Sequence, residues 1–324
     1  MTPFKSTANT MQALVKYHGL KDWKLRIPFH DSISVNTTSL GSQVVVREAK
    51  SGEEGDLIVQ GKKNDDALRR IESVSKRLTG KSFEDLRLDL ESSNFPHVDA
   101  KGLGFSSSAG AALTLALFHA VKSDDPDYTE LSRVARLFAG SASRTVVGGF
   151  SRLHAGNGYE DTYAEKFADE KELPLRMVIV PLTSPVRTED AHREVESSPF
   201  FKARIESASK RCEEMEKAIR GGDLRKVGEL TEQDTLELHS ITMTGTNRLV
   251  IMSPDTIRIN TKVRELRSNS VEAYFSMQTG PSVFINTSEE DEDKVRRAVS
   301  HMGYKTVLSG VGREARIGRA SGSD

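Results

Sequence analysis

The sequence contains almost no cysteine and carries almost no net charge, and both shortages exclude classes of protein. Its 324 residues include one cysteine, Cys212, so an intramolecular disulfide framework and a cysteine-rich metal site are both excluded. The 46 lysines and arginines nearly balance the 47 aspartates and glutamates, which argues against a broad surface for nucleic acid or membrane. Any anion site must therefore be a local cluster of cations.

Long apolar runs are missing as well. No stretch approaches the roughly 20 apolar residues of a membrane span, and the N-terminus shows no hydrophobic signal segment. We therefore expect a cytoplasmic protein without a membrane or nucleic-acid partner. The eight histidines show no ligand spacing, so we expect no metal site built by the protein itself.

Short apolar runs alternate with helical patterns, without repeats or a regular strand–helix–strand period. The patterns predict strands at residues 32–40, 43–48, 56–60, 86–90, 175–181, 271–277, 282–286 and 305–309, and helices at 65–78, 129–139, 143–148, 199–219, 224–240, 254–268 and 289–302. Gly41 and Ser42 are interpreted as a turn. This mixture favours an α+β fold. We place the boundary near residues 183–189, which gives an N-terminal lobe of residues 1–184 and a C-terminal lobe of residues 185–324.

The most informative segment is a glycine- and serine-rich loop that opens an apolar helix. Residues 102–110 read GLGFSSSAG and residues 111–120 read AALTLALFHA. Small residues let backbone N–H groups close around a phosphate, and the helix N-terminus adds unsatisfied amides and a positive dipole. The spacing matches neither GxxxxGK[ST] nor GxGxxG. Ser106, Ser107 and Ser108 are therefore candidate phosphate-loop residues, although such a loop can also be only a helix cap.

Six segments occur in the order found in a known enzyme family. They are ALVKYHG at 13–19, Pro28 with DSISV at 31–35, the loop at 102–113, GSASRTVVGGF at 140–150, Asp234 with His239, and EAYFSMQTGPS at 272–282. Over essentially its whole length the chain resembles the mevalonate-pathway decarboxylases, the diphosphomevalonate and phosphomevalonate decarboxylases of the GHMP kinase superfamily. The resemblance implies an N-terminal lobe like ribosomal protein S5 domain 2, a ferredoxin-like C-terminal lobe and a usual homodimer.

The activity implied by the resemblance is that of a carboxy-lyase acting on a phosphorylated mevalonate in the cleft between the lobes. In the family, ATP phosphorylates the tertiary 3-hydroxyl, the 3-phosphate leaves, and the neighbouring carboxylate departs as carbon dioxide. The product is isopentenyl phosphate or diphosphate. This chemistry needs cations around two phosphates and a carboxylate, together with a carboxylate near the hydroxyl during attack on ATP.

The matched positions supply candidate site residues. Arg144 resembles the guanidinium that grips the substrate carboxylate or 3-phosphate in bidentate fashion, although a surface salt bridge would also explain an arginine there. Lys16 and Tyr17 match the family residues at the phosphate end of the substrate, although a lysine after an apolar strand can also be a solvent anchor. Ser141 and Ser143 offer hydroxyl donors.

A basic run after the central strand offers contacts for a second phosphate. Its members are Arg187, His192 and Arg193. An exposed, charged helix start explains the same run nearly as well, so both interpretations stay open.

Three departures from the family pattern concern ATP. Gln278 stands where the family has the aspartate of its catalytic set, so no carboxylate remains there to orient or deprotonate a hydroxyl. Leu20 and His18 replace a lysine and a tryptophan near the nucleotide, and we expect the adjacent Lys21 to point elsewhere. Phe105 stands at a serine position of the phosphate loop. Losing a cation and gaining a phenylalanine should each weaken a nucleotide site by about 1 kcal/mol or more.

The simplest interpretation is an enzyme that no longer phosphorylates and needs no cofactor. It would decarboxylate mevalonate 3,5-bisphosphate without ATP, like the ATP-independent branch of the family, and release isopentenyl phosphate. One alternative is a phosphomevalonate or diphosphomevalonate decarboxylase that uses Mg-ATP, whose phosphates would carry the Mg²⁺. Others are a mevalonate 3-kinase-like enzyme and an inactive relative that binds a phosphorylated isoprenoid precursor as a sensor.

Overall fold

The computed structural model describes residues 1–122, 125–183 and 188–319. The strands within these ranges are β1 (Phe4–Val15), β2 (Leu20–Asp22), β3 (Ile27–Pro28), β4 (Ser32–Glu48), β5 (Leu57–Val59), β6 (Lys62–Lys63), β7 (Leu88–Phe95), β8 (Phe150–His154), β9 (Tyr163–Ala168), β10 (Arg176–Val180), β11 (Ala273–Met277), β12 (Val283–Thr287), β13 (Val307–Ser309) and β14 (Arg316–Arg319). The helices are α1 (Asp65–Thr79), α2 (Phe105–Val121), α3 (Tyr128–Phe138), α4 (Ala142–Val147), α5 (Thr188–Glu194), α6 (Phe201–Arg220), α7 (Leu224–Met243), α8 (Pro254–Ser268) and α9 (Glu292–His301). The predicted α+β class is confirmed.

The larger sheet is built on the antiparallel pair of β1 and β4. Its order is β14-β1-β4-β7-β5-β6, and β8 pairs with both β4 and β9. The long register of β1 and β4 runs from Phe4 opposite Val46 to Val15 opposite Ile33. Since β1 ends at Val15, the sheet delivers the residues that follow it to one fixed position.

The predicted turn at Gly41 and Ser42 is wrong, because β4 runs through both residues as one strand. Gly41 lies opposite both Asn9 and Phe95. A Cβ added at Gly41 would lie 2.4 Å from the Phe95 ring and 2.6 Å from the Ala8 carbonyl oxygen. The glycine therefore makes room for a ring packed on the strand.

Helix α2 lies in the main core of this lobe. Its residues from Ala111 to Phe118 are buried on all sides, as expected for a helix that is apolar all round. The core cluster around α2 includes Val44 and Leu90 of the sheet and Val134 of α3. The N-terminus of α2, which carries the serines, is thereby fixed by a helix that is buried from Ala111 to Phe118.

The smaller sheet has four antiparallel strands in the order β11-β12-β10-β13. Val178 and Val180 pack with α8 and α9 residues on one face, whereas Met177 and Ile179 pack with α6 and α7 residues on the other. β10 precedes residue 184 but belongs to this sheet, and β14 returns to the larger sheet. The lobe division at residue 184 stays a prediction.

No helix in the described ranges combines the length and the apolar character needed to cross a membrane.

Candidate active site

A cavity of about 490 Å³ lies where the end of β1, the start of α2, the start of α4 and the turn after β11 meet. Lys16, Ser107, Arg144 and Gln278 all line it, so motifs far apart in the sequence share one space. The other predicted site residues on its wall are Tyr17, Ser106, Ser141 and His192.

The phosphate loop presents a helix N-terminus to this cavity. α2 begins at Phe105 after Gly104, which has a left-handed backbone (φ +83°), and no side chain of the described residues caps it. Ser106 is exposed on the cavity wall, and Ser107 donates a hydrogen bond to the Ser141 hydroxyl. Uncapped amides with neighbouring hydroxyls suit an anion.

Ser108 faces away from the cavity. Its buried hydroxyl lies 2.7 Å from the Ser42 hydroxyl and 3.1 Å from the Phe105 carbonyl oxygen. Phe105 borders the cavity, but it also packs against the apolar cluster that contains Leu103. The loop therefore brings two of its three serines to the cavity, with a phenylalanine beside them.

Arg144 is buried, and the described part of the chain offers it no counter-ion. Its side chain is 2% exposed, it donates to the Ser32 hydroxyl, and its guanidinium carbon lies 5.4 Å from the centroid of the Tyr17 ring. Nothing in the described ranges gives it a carboxylate partner, and its Nε has no hydrogen-bond acceptor there. Burial lowers the pKa of Arg144. The surface salt-bridge interpretation is wrong, because a buried unpaired cation faces a space that an anion can fill.

Lys16 is buried, and two residues of α7 hold it in place. Its Nζ lies 3.0 Å from the Thr235 hydroxyl and 3.5 Å from Oδ2 of Asp234, and its backbone N–H donates to the same carboxylate at 2.9 Å. Burial lowers the pKa of Lys16 to about 8, although Asp234 works in the opposite direction. The solvent-anchor interpretation is wrong for this lysine, which is 3% exposed.

Asp234 is the centre of a buried ion cluster. Its Oδ1 accepts from Arg204 at 2.6 Å and from Arg211 at 3.2 Å. Burial works to raise the pKa of Asp234, but Arg204, Lys16 and Arg211 hold it below its usual value, so the group is ionised. Glu237 pairs with both arginines. Three cations against two carboxylates leave one surplus positive charge beside the cavity.

The lowered pKa of Lys16 predicts a pH effect on substrate binding. As the pH rises through about 8, Lys16 loses its proton and its attraction for a phosphate. We expect KM for the phosphorylated mevalonate to rise over this interval, because the substrate phosphates no longer titrate there. The measurement is KM from pH 7 to 9.5, with Lys16→Arg as the control whose charge persists. A wild-type KM that is constant over this range would contradict the assignment.

Three rings meet on the side of α5. Ring centroids of Tyr17 and His192 are 5.6 Å apart, and those of His18 and His192 are 4.8 Å apart. Burial lowers the pKa of His192 to about 4 and that of His18 well below its usual value, so both are neutral near pH 7. Arg193 does not line the cavity; its guanidinium lies over the Trp23 ring, 4.3 Å from the centroid. Arg187 lies outside the described residues.

The side chains at three further positions from the sequence analysis point in different directions. Ser143 is buried and donates to the Gly140 carbonyl oxygen at 2.7 Å, away from the cavity wall. Lys21 points elsewhere, as expected, and its Nζ donates to Asn157 at 3.1 Å. Leu20 lines the cavity as an apolar residue.

Gln278 pairs with main chain. Its Oε1 accepts from the Ala13 N–H at 3.0 Å, and its Nε2 donates to the Ala13 carbonyl oxygen at 3.3 Å. The N–H and the carbonyl oxygen of a single β1 residue, Ala13, therefore engage both ends of the carboxamide.

Three cations that line the cavity are not predicted from the sequence. Lys101 directly precedes Gly102 and adds a cation beside the loop, so its position next to the motif could have identified it. Arg26 and Arg70 lie in segments without a motif. Arg70 pairs with Glu189 at 2.9 Å. No group of three or more His, Cys, Asp or Glu side chains in the described residues is arranged to hold a metal ion.

The two sheets, the uncapped loop helix and the cationic cavity define an enzyme of the GHMP kinase fold, as the resemblance implied. The family model described as diphosphomevalonate decarboxylase-like N-terminal domain matches residues 8–164, and that described as mevalonate 5-diphosphate decarboxylase C-terminal domain matches residues 186–311. The chain belongs to the mevalonate-pathway decarboxylases, which are carboxy-lyases.

The similar proteins differ in their named substrates. A phosphomevalonate decarboxylase of Haloferax volcanii is 38% identical and covers 96% of each chain. A mevalonate 3,5-bisphosphate decarboxylase of Thermoplasma acidophilum is 29% identical over 85% of this chain and 68% of its own. The crystal structure of a mevalonate diphosphate decarboxylase from Staphylococcus aureus superposes with a TM-score of 0.87 at 25% identity, covering 98% of each chain. A homodimer and a cytoplasmic location stay predictions.

Proposed function

We propose that this enzyme decarboxylates a mevalonate with one phosphate at the 5-position and releases isopentenyl phosphate. We further propose that the substrate arrives with its 3-phosphate attached, as mevalonate 3,5-bisphosphate, and that no nucleotide is used. Support for the single 5-phosphate comes from the names of two relatives, phosphomevalonate decarboxylase and mevalonate 3,5-bisphosphate decarboxylase.

The observation that best supports a reaction without nucleotide is that the described part of the cavity wall lacks a free carboxylate to orient or deprotonate the 3-hydroxyl. Among the described residues that line the cavity, Glu189 is the one carboxylate, and Arg70 neutralises it at 2.9 Å. Gln278 has no acidic group, and its amide is engaged by Ala13. Phosphorylating a tertiary hydroxyl calls for a group that orients or deprotonates it. Eliminating a phosphate that is already attached calls for none.

The proposed reaction balances without a base or a second reactant. The bond between C3 and the phosphate oxygen breaks, and its electron pair leaves with inorganic phosphate. The electrons of the C1–C2 bond form the C2=C3 double bond as C1 departs as carbon dioxide. Negative charge grows on the leaving phosphate, where the unpaired guanidinium of Arg144 and the ammonium of Lys16 would stabilise it.

A second candidate is an ATP-dependent phosphomevalonate decarboxylase. It is favoured by the 38% identity with the Haloferax volcanii enzyme over nearly the full length of both chains. The uncapped N-terminus of α2 would suit nucleotide phosphates, with Ser106, Ser107 and Lys101 as further donors. Against it, Leu20 and Phe105 put apolar side chains on the wall of the same cavity.

Calorimetric titration separates the two candidates. We expect titrated Mg-ATP to show no saturation below about 1 mM, whereas the KM for mevalonate 3,5-bisphosphate, measured in a product assay without nucleotide, lies in the micromolar range. Lys16→Met serves as the control that should weaken bisphosphate binding. Micromolar binding of Mg-ATP would contradict the proposal and favour the second candidate.

A further inference from the structure

The turn after β11 contacts the two parts of the anion site, which are the segment that carries Lys16 and the loop that enters α2. At its start, the Gln278 carboxamide forms its two hydrogen bonds with Ala13, three residues before Lys16 on the same chain segment. The neighbouring Thr279 hydroxyl lies 2.9 Å from Nε2 of His18, two residues after Lys16. The segment that carries Lys16 is therefore held from both sides.

The other end of the turn holds the phosphate loop. The Ser282 hydroxyl donates to the Lys101 carbonyl oxygen at 2.6 Å, and it accepts from the Leu182 N–H at 2.9 Å. Gly280 packs on Gly102 so closely that a Cβ on Gly280 would lie 2.6 Å from the Gly102 nitrogen. One five-residue turn thus contacts the loop that enters α2 and the segment that presents Lys16.

We propose that the turn formed by residues 278–282 is a strap that sets the separation of Lys16 and the phosphate loop, with Gln278 as a positioning residue acting through Ala13. A side-chain amide complements the N–H and C=O of one strand residue, because it offers one acceptor and one donor side by side. An ionised carboxylate at this position would accept from the Ala13 N–H but would set oxygen against the Ala13 carbonyl. The glutamine thus makes a contact that an aspartate cannot make.

The test uses anion affinity, which does not depend on any activity of the enzyme. Trp23 is the sole tryptophan and lines the cavity, so its fluorescence reports binding of inorganic pyrophosphate. Gln278→Glu keeps the acceptor and loses the donor, and Gln278→Met keeps the length and loses both. We expect each to raise the Kd for pyrophosphate about tenfold and to raise KM more than it lowers kcat.

Gln43→Met is the matched control. Gln43 donates to Ser93 at 3.3 Å within the larger sheet and does not line the cavity. We expect its substitution to shift the thermal midpoint without changing the Kd for pyrophosphate. If the Gln278 variants bind pyrophosphate within twofold of the wild type, the proposal is overturned, whatever substrate the enzyme uses.

A second variant decides the case if the Gln278 variants do not fold. Thr279→Val removes the hydrogen bond to His18 at nearly constant volume. Weaker pyrophosphate binding by a folded Thr279→Val protein supports the strap, and unchanged binding overturns it.

Discussion

Truncating Arg144 to alanine is expected to lower kcat/KM about a thousandfold or more, for whichever phosphorylated mevalonate the wild-type enzyme converts. Arg144 is a buried cation on the cavity wall, and no carboxylate of the described residues neutralises it. A developing phosphate charge would lose its strongest partner. Steady-state kinetics with Arg144→Lys as the control measure the effect, and we expect lysine to restore only part of the loss because it lacks the bidentate fork.

The same substitution should affect folding much less than catalysis. In the described structure Arg144 donates one side-chain hydrogen bond, to Ser32, and has no ion pair to break. Comparable urea unfolding of wild type and Arg144→Ala would therefore accompany the kinetic loss. Normal turnover and normal substrate affinity in Arg144→Ala would show that the site has been misplaced.

Replacing Asp234 with asparagine is expected to lower the free energy of unfolding by about 3–5 kcal/mol. The substitution leaves Lys16, Arg204 and Arg211 buried with one carboxylate fewer, and uncompensated buried charge is costly. Because the fold holds the pKa of Asp234 below its usual value, its stabilising contribution is present above about pH 4 and is lost as the pH falls further. Urea unfolding at pH 7 measures the difference.

An exposed aspartate provides the control for this substitution. Asp293 pairs with Arg296 and Arg297 on the surface of α9, and solvent screens such pairs. Asp293→Asn should therefore leave the unfolding midpoint nearly unchanged. Equal effects of the two substitutions would contradict the buried cluster.

The sequence predicts which residues line the cavity better than it predicts where each side chain points. Arg144, Lys16 and the serine loop could be found because their sequence segments match a family pattern, and the fold brings them to one cavity. The direction of individual hydroxyls could not be found in this way. Ser108 and Ser143 belong to the same motifs as Ser107, yet both are buried in local hydrogen bonds.

Two features needed the tertiary structure. The pairing of Gln278 with Ala13 joins residues 265 positions apart, and no local pattern encodes which main-chain unit an amide will meet. The sequence pattern predicts a turn at Gly41, but glycine serves equally in turns and in close packing. The ring of Phe95, which decides between these uses, comes from another strand.

The most direct measurement of the central claim is a product assay without nucleotide. Purified enzyme treated to remove bound nucleotide is incubated with mevalonate 3,5-bisphosphate, and isopentenyl phosphate, carbon dioxide and inorganic phosphate are quantified against Arg144→Ala. We predict all three in equal amounts, at a rate that added Mg-ATP does not raise. No product from the bisphosphate, together with isopentenyl phosphate formed from mevalonate 5-phosphate only when Mg-ATP is present, would contradict the account.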